Sequence, residues 1–240
     1  MVGLGPGSPE HMTGRARQAI AEAEIIVGYK TYVELITDLI DGQEVLSTGM
    51  TREIERCELA IERAVAGNKV AVVSSGDPGV YGMAGLILEL LHRDDTYKKI
   101  EVEIIPGVTS ATASASCLGA PLMHDFTVIS LSDLLTPWEL IQKRLHAAGD
   151  GDFVVVLYNP SSRRRTEHIV KARSILLKYK NAATPVGIVR NAEREGEEII
   201  LTDLENMLQH PIDMFSTVII GNQTTTRLGQ YLVTPRGYSV

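Results

Sequence analysis

Apolar and polar positions along the chain fall into short continuous apolar runs that alternate with longer stretches of helical period. Ile25–Val27, Val45–Ser47 and Val70–Val73 read as strands, because runs of β-branched residues bounded by polar or glycine turns suit a buried sheet. Between them, Tyr29–Leu39 carries apolar residues near helical spacing at Val33 and Ile36. Arg52–Ala66 sets Ile54, Cys57, Ile61, Ala64 and Val65 on one face and is stopped by Gly67-Asn68. Thr13 caps an alanine-rich helix that reaches Ala23. Further helices are expected over Met83–Leu91 and Ala111–Cys117, with a strand over Ile100–Ile105.

A second series follows Gly119-Ala120-Pro121. Strands are expected at Phe126–Leu131 and Phe153–Leu157, with helices over Pro137–Ala148 and Arg163–Tyr179. Val186–Val189 and Glu198–Leu201 bracket the charged turn Asn191–Gly196 as a hairpin, and Val218–Ile220 is the last strand. Strand–helix alternation implies a mostly parallel first sheet, and the hairpin makes the second sheet mixed. The expected architecture is α/β, with domains at residues 1–119 and 120–240.

Candidate chemistry sits where strands end. Val70–Val73 feeds directly into Ser74-Ser75-Gly76-Asp77-Pro78-Gly79, and Ile100–Ile105 into Pro106-Gly107-Val108-Thr109-Ser110. Ligands of open α/β sheets gather at the carboxyl ends of strands, so the first loop suits a small molecule held by backbone groups and one carboxylate. An Asp-Pro turn with no further role is the alternative, and an Asx turn at Asp77 is compatible with both. Gly3-Leu4-Gly5-Pro6-Gly7 departs from the dinucleotide spacing, and Pro6 removes an amide that a phosphate cradle would use, so the turn is read as shaping a cleft wall.

Composition narrows the classes. Among 240 residues, 44% are hydrophobic and 22% charged, which is the balance of a folded globular chain. No uncharged apolar run reaches the roughly 18 residues of a membrane span, and no basic-then-apolar leader opens the chain, so a cytoplasmic protein is expected. The two cysteines, Cys57 and Cys117, make no Cys-x-x-Cys, and the six histidines form no pair at ligand spacing, so neither disulfide nor protein-bound metal is expected. A net charge of −7 argues against nucleic acid as partner.

Taken together, these residues resemble the tetrapyrrole (corrin and porphyrin) methylases that use S-adenosylmethionine. The resemblance spans nearly the whole chain and rests on Gly3–Gly7, Ser75–Gly82, Pro106–Ala111 and Thr217–Gly221. Within that family, His124-Asp125-Phe126, Ser130–Trp138 and Leu157–Ser162 are similar to the branch that methylates C17 of precorrin-3B. The resemblance implies a homodimer of two-domain α/β subunits, with the methyl donor in a cleft between domains. By matching position, donor contacts would be Gly76, Asp77, Val80, Tyr81, Thr109, Ser110, Ala111, Tyr158, Asn159, Gly187, Ser216 and Thr217.

Methyl transfer from a sulfonium to carbon needs alignment and exclusion of water rather than a nucleophilic side chain, which agrees with a chain that offers no triad or paired-carboxylate motif. The tetrapyrrole substrate, with or without cobalt, carries many carboxylates. Arg15, Lys30, Arg52 and the run Arg163-Arg164-Arg165 are candidate partners for them, with Pro6 in the cleft wall. Ring contraction in the C17 branch requires proton movements, and adjacent His124 and Asp125 are candidates for a general acid or base. The competing readings are a sibling methylase acting at another ring carbon, an NAD-dependent oxidoreductase, and a catalytically silent ligand-binding regulator.

Overall fold

Two faces of apolar side chains on each central strand explain why the first half of the chain folds as helices around a sheet. The computed structural model describes residues 1–49 and 51–238. It divides into two units, Met1–Ser110 and Ala111–Val240. The first contains β1 (Val2–Gly3), α1 (Gly14–Ala21), β2 (Ile25–Tyr29), α2 (Lys30–Glu34), β3 (Glu44–Thr48), α3 (Glu53–Val65), β4 (Val70–Ser74) and α4 (Ala84–Arg93). Its sheet has the order β1-β4-β2-β3 and is parallel throughout.

Successive strand side chains point to opposite faces, so each strand serves two cores. Val27 and Val72 join Cys57 and Ile61 of α3 and Ile87, Leu90 and Leu91 of α4. Ile26, Ala71 and Val73 join Ala16 and Ile20 of α1, together with Leu4 and Ile36. Thr13 caps α1 as its sequence indicates, its Oγ1 accepting the Ala16 amide at 3.1 Å.

Two expectations for this unit are corrected. Tyr29–Leu39 is not one helix: α2 ends at Glu34 and a short 3₁₀ turn follows at Thr37–Leu39. The break lets Ile36, 1% exposed, turn into the core. Ile100–Ile105 is not a strand, since β1 begins only at Val2 and offers a partner to Ile105 alone. The Gly3 amide reaches the Ile105 carbonyl at 3.0 Å and the Ile105 amide reaches the Met1 carbonyl at 2.9 Å. A groove of about 940 Å³ runs beside Val70–Val72, Val102 and Glu103, at the amino ends of the strands and away from their carboxyl-end loops.

The second unit comprises most of α5 (Ser110–Leu118), then β5 (Gly119–Ala120), β6 (Phe126–Ser130), α6 (Trp138–Asp150), β7 (Val154–Tyr158), α7 (Glu167–Leu176), β8 (Pro185–Arg190), β9 (Glu198–Asp203), β10 (Ser216–Ile220), β11 (Thr226–Leu228) and β12 (Tyr231–Val233). A five-stranded sheet runs β6-β7-β10-β8-β9, with only β6 and β7 parallel. A small sheet, β11-β12-β5, pairs the strand that precedes β6 with the two that follow β10. The hairpin read from the sequence is β8–β9. Val155 and Leu157 pack under α6 and α7, whereas Val154, Val156 and Tyr158 face Ala111, Ala115 and Leu118 of α5.

The units divide at Ser110/Ala111, nine residues before the junction placed at 119/120 from sequence. Helix α5 belongs to the second unit because Leu118 lies on Gly187 of β8, where a Cβ would come within 2.4 Å of the leucine Cδ1, and because β5 pairs with β12. The helix expected from Arg163 starts only at Glu167. Reciprocal Ser162–Arg165 backbone hydrogen bonds, at 3.0 and 3.2 Å, close a tight turn ahead of it. Among the described residues, no helix is long and apolar enough to cross a membrane.

Candidate functional site

In the first unit, three loops meet through their backbones at the carboxyl ends of β1 and β4. The Gly5 amide reaches the Gly76 carbonyl at 3.1 Å, and the Gly76 amide returns to the Gly5 carbonyl at 2.7 Å. Gly107 lies against both. A Cβ built there would stand 2.1 Å from the Gly76 oxygen, and one built on Gly3 would stand 2.6 Å from the Gly107 nitrogen. Only residues without a side chain fit at these points, since real carbon contacts do not approach so closely. The Gly5 amide is thus engaged inside the protein rather than open to a pyrophosphate, which removes the structural basis of the NAD reading.

Asp77 holds this arrangement together. Its Oδ1 accepts the Gly79 amide at 2.8 Å and its Oδ2 accepts the Gly107 amide at 3.1 Å. The side chain therefore makes the Asx turn anticipated from Asp-Pro and also ties the 74–82 loop to the 106–110 loop. Downstream, Pro78 O accepts the Ala84 amide at 2.9 Å at the start of α4. The stretch between, Gly79 to Gly82, is exposed, with Tyr81 in the left-handed region at φ 54°. Thr109 and Ser110 are half-buried, with the Thr109 Cα 3.7 Å from where a Gly76 Cβ would be. Pro6 is buried in the adjoining turn.

In the second unit, sheet register gathers candidates that lie far apart in sequence. Val218 pairs with Leu157 in the antiparallel β7–β10 ladder, so Ser216 and Thr217 at the start of β10 lie at the same end of the sheet as Tyr158 and the Asn159 that follows it. The Tyr158 hydroxyl accepts the Ala111 amide at 2.6 Å, so Ala111 joins the same edge. Asn159 adopts φ 50°, and its Nδ2 donates to Ser130 Oγ at 2.9 Å. Ser216 Oγ donates to Asp213 Oδ1 at 3.0 Å, and Arg190 Nε donates to Asp213 Oδ2 at 2.9 Å. Burial raises the Asp213 pKa, but hydrogen bonds from Arg190, the Phe215 amide and Ser216 together outweigh it and hold the carboxyl below its usual range. Gly187 has a packing duty in the same sheet, under Leu118.

The remaining candidates are described within their own units. His124 and Asp125 precede β6 and are exposed, lining a shallow pocket with Asp152, Phe153, Asn222 and Arg236. They stand at the amino end of β6, whereas Ser130 and Asn159 stand at the carboxyl ends of β6 and β7. Five residues of strand separate the two places, about 16 Å. His124 and Asp125 thus stand apart from Ser130 and Asn159 within the second unit. Arg15 is paired with Glu103 through its Nε and Nη2, with Glu22 at 4.0 Å from Nη1, and Arg52 with Glu55 at 3.1 Å. Lys30 is exposed at the start of α2. Of the triple arginine, Arg163 and Arg164 form the exposed tip of the Ser162–Arg165 turn, while Arg165 points inward.

Spacing along the chain missed one cluster. The Cys117 thiol lies 3.3 Å from Glu197 Oε2 and 3.8 Å from Glu193 Oε1, and among the described residues these are the three potential ligand groups that converge. Burial and the Glu197 carboxylate push the thiol pKa up to about 12. Only the β8–β9 hairpin brings these residues, nearly eighty positions apart, together.

The family model for tetrapyrrole (corrin/porphyrin) methylases matches residues 1–208. The chain belongs to that family. The methylase is 53% identical over 240 residues to a probable cobalt-factor III C(17)-methyltransferase of Salmonella typhimurium, covering 100% of this chain and 99% of that one. It is 54% identical to the cobalt-factor III methyltransferase of Priestia megaterium, of which it spans 44%. The crystal structure of the methyltransferase CobJ superposes with a TM-score of 0.93 at 37% identity, over 98% of both chains. The parallel first sheet and mixed second sheet are thus those of a methyltransferase fold, as the sequence implied.

Proposed function

We propose that the methylase transfers a methyl group from S-adenosylmethionine to C17 of cobalt-factor III, in the ring-contracting step of corrin synthesis. The observation that carries this reading is the end-to-end match at 53% identity to the Salmonella relative of that name. Its metal-free counterpart, precorrin-3B, is the second candidate substrate. When bound, the donor supplies an electrophilic methyl on a sulfonium. The residues suit such a group: Gly79 to Gly82 is an exposed stretch with a glycine at each end, and Asp77 would set a carboxylate beside a cation. Gly76, Asp77, Val80, Tyr81, Thr109 and Ser110 are assigned to the donor, as are Ala111, Tyr158, Asn159, Ser216 and Thr217.

No side chain is asked to attack. The loops orient donor and acceptor and keep water out, and proximity of this kind supplies up to roughly 7–11 kcal/mol of a barrier. Arg163 and Arg164, exposed at a turn tip, are the cations assigned to substrate carboxylates; Arg15 and Arg52 are left out because each is paired with a glutamate. The working form is assigned as a homodimer, which sedimentation would read as twice the 26.2 kDa chain.

Incubation with carbon-13 methyl donor and each substrate form tests the reading. Label at C17 with faster turnover of the cobalt form supports it; label at another carbon makes the protein a sibling enzyme, and no transfer to either form rejects it. His124→Ala and Asp125→Ala are each expected to turn over within about twofold of the parent, since both lie at the far end of β6. A hundredfold loss would restore them as acid–base candidates.

A further inference from the structure

Arg165 differs from its two neighbours in every respect that bears on function. Its Nη1 donates to the Leu131 carbonyl at 2.8 Å and its Nη2 to the Asn159 carbonyl at 3.1 Å. Leu131 follows β6 and Asn159 follows β7, and these parallel strands end level, Ser130 beside Tyr158. One guanidinium therefore spans the carboxyl ends of two adjacent strands. Its planar fork matches that pair of carbonyls in a way an ammonium cannot.

The surroundings reinforce the bridge. The Leu131 amide donates to the Tyr158 carbonyl at 2.9 Å, and the Leu131 carbonyl also takes His168 Nδ1 at 2.8 Å. His168 is stacked on Trp138 at 4.1 Å between centroids, with its Nε2 3.6 Å from Asp133 Oδ2. These contacts bind Leu131, Asp133 and Trp138 to α7. Asn159, in the left-handed region, is held at its carbonyl by Arg165 and at its amide by Ser130. A non-glycine residue keeps such a backbone only when its surroundings over-determine it.

We propose that Arg165 is a positioning residue for methyl transfer: by bridging Leu131 and Asn159, it sets the Tyr158-Asn159 edge in the conformation that receives the donor. The proposal rests on the assignment of Asn159 to the donor above. Arg165 touches neither donor nor substrate in this role, and it leaves Arg163 and Arg164 as the cations of that run that face outward.

The test is donor affinity, read with S-adenosylhomocysteine by calorimetry, together with kcat and the separate KM values. Arg165→Ala is expected to weaken donor binding about tenfold, the effect of losing hydrogen bonds from a charged group, while KM for the tetrapyrrole stays within twofold. Added guanidinium chloride at tens of millimolar is expected to recover at least half of the loss. Arg165→Lys, which keeps the charge but reaches one carbonyl, is expected to lose about threefold and serves if the alanine variant does not fold. Parental donor affinity in Arg165→Lys overturns the bridging role, as does a raised tetrapyrrole KM with unchanged donor affinity in Arg165→Ala. Asn159→Ala separates this proposal from the donor site itself. Weakened binding there beside a parental Arg165→Ala rejects the positioning role alone, and parental binding in both rejects the two together.

Discussion

Gly107→Ala is expected to be the most damaging single methyl group that can be added to the first unit. The new Cβ would stand 2.1 Å from the Gly76 carbonyl oxygen and 2.9 Å from both the Gly3 carbonyl carbon and the Gly5 nitrogen. All three are backbone atoms of residues held by the Gly5–Gly76 and Gly3–Ile105 hydrogen bonds, so no side chain can swing away to make room. Overpacking of a core ordinarily costs about 1–3 kcal/mol, and a clash against paired backbone belongs at or above the top of that range. For a chain of this size, about 3 kcal/mol corresponds to a Tm lower by about 10 °C. Relief of the clash would also pull the Gly107 amide off Asp77, so donor binding should fall together with Tm. Gly85→Ala is the control: the site is on the exposed face of α4 with nothing within 4 Å, and alanine there should raise Tm slightly. Equal Tm values for the two variants, by calorimetry, would show that the loops do not interlock as described.

Asp152→Ala should have the largest effect in the second unit. Lys180 has a side chain only 1% exposed, and its ammonium is held by Asp152 Oδ1 at 3.0 Å and the Phe153 carbonyl at 2.9 Å. The other carboxylate oxygen accepts the Gln223 amide at 3.1 Å, so one aspartate neutralises a buried cation and anchors a loop. Removing one partner of a buried pair costs about 3–5 kcal/mol, because the remaining charge is left uncompensated. Asp152 itself is 30% exposed, so water can reach the Lys180 head once the carboxylate is gone, and about 3 kcal/mol is expected. The alanine must also accept φ 50°, which adds to the loss. Lys180→Met, which removes the cation and keeps its volume, should cost less than Asp152→Ala. A denaturant series that ranks them the other way would show that the pair is not the cause.

Much of this architecture is legible in the sequence. Local apolar patterns marked β2, β4, β8, β9 and α3 to within a few residues, because each of these elements is stabilised by burying its own stripe or run. Gly76, Asp77 and Gly107 stood out because turn chemistry is also local: small residues after an apolar run leave the backbone open whatever lies nearby. Where the reading failed, the missing information was a partner. Ile100–Ile105 has the composition of a strand, but its neighbour β1 offers a partner only to Ile105. Tyr29–Leu39 has helical spacing, but Ile36 is needed in a core that lies off the helix axis. Arg163-Arg164-Arg165 reads as one basic run, yet a two-residue turn aims two cations outward and folds the third onto Leu131 and Asn159.

The amino-acid sequence by itself determined the class of this protein: α/β, strand-end loops rich in glycine, and motifs that place it among the tetrapyrrole methylases. Only the tertiary structure decided which candidates stand together. Register across β7 and β10 gathers Tyr158, Asn159, Ser216 and Thr217, and the rise of β6 carries His124 and Asp125 to the opposite end of the sheet. The physical reason is that dihedral preference and hydrophobic period act over a few residues, whereas strand order and close backbone approach depend on atoms a hundred positions away.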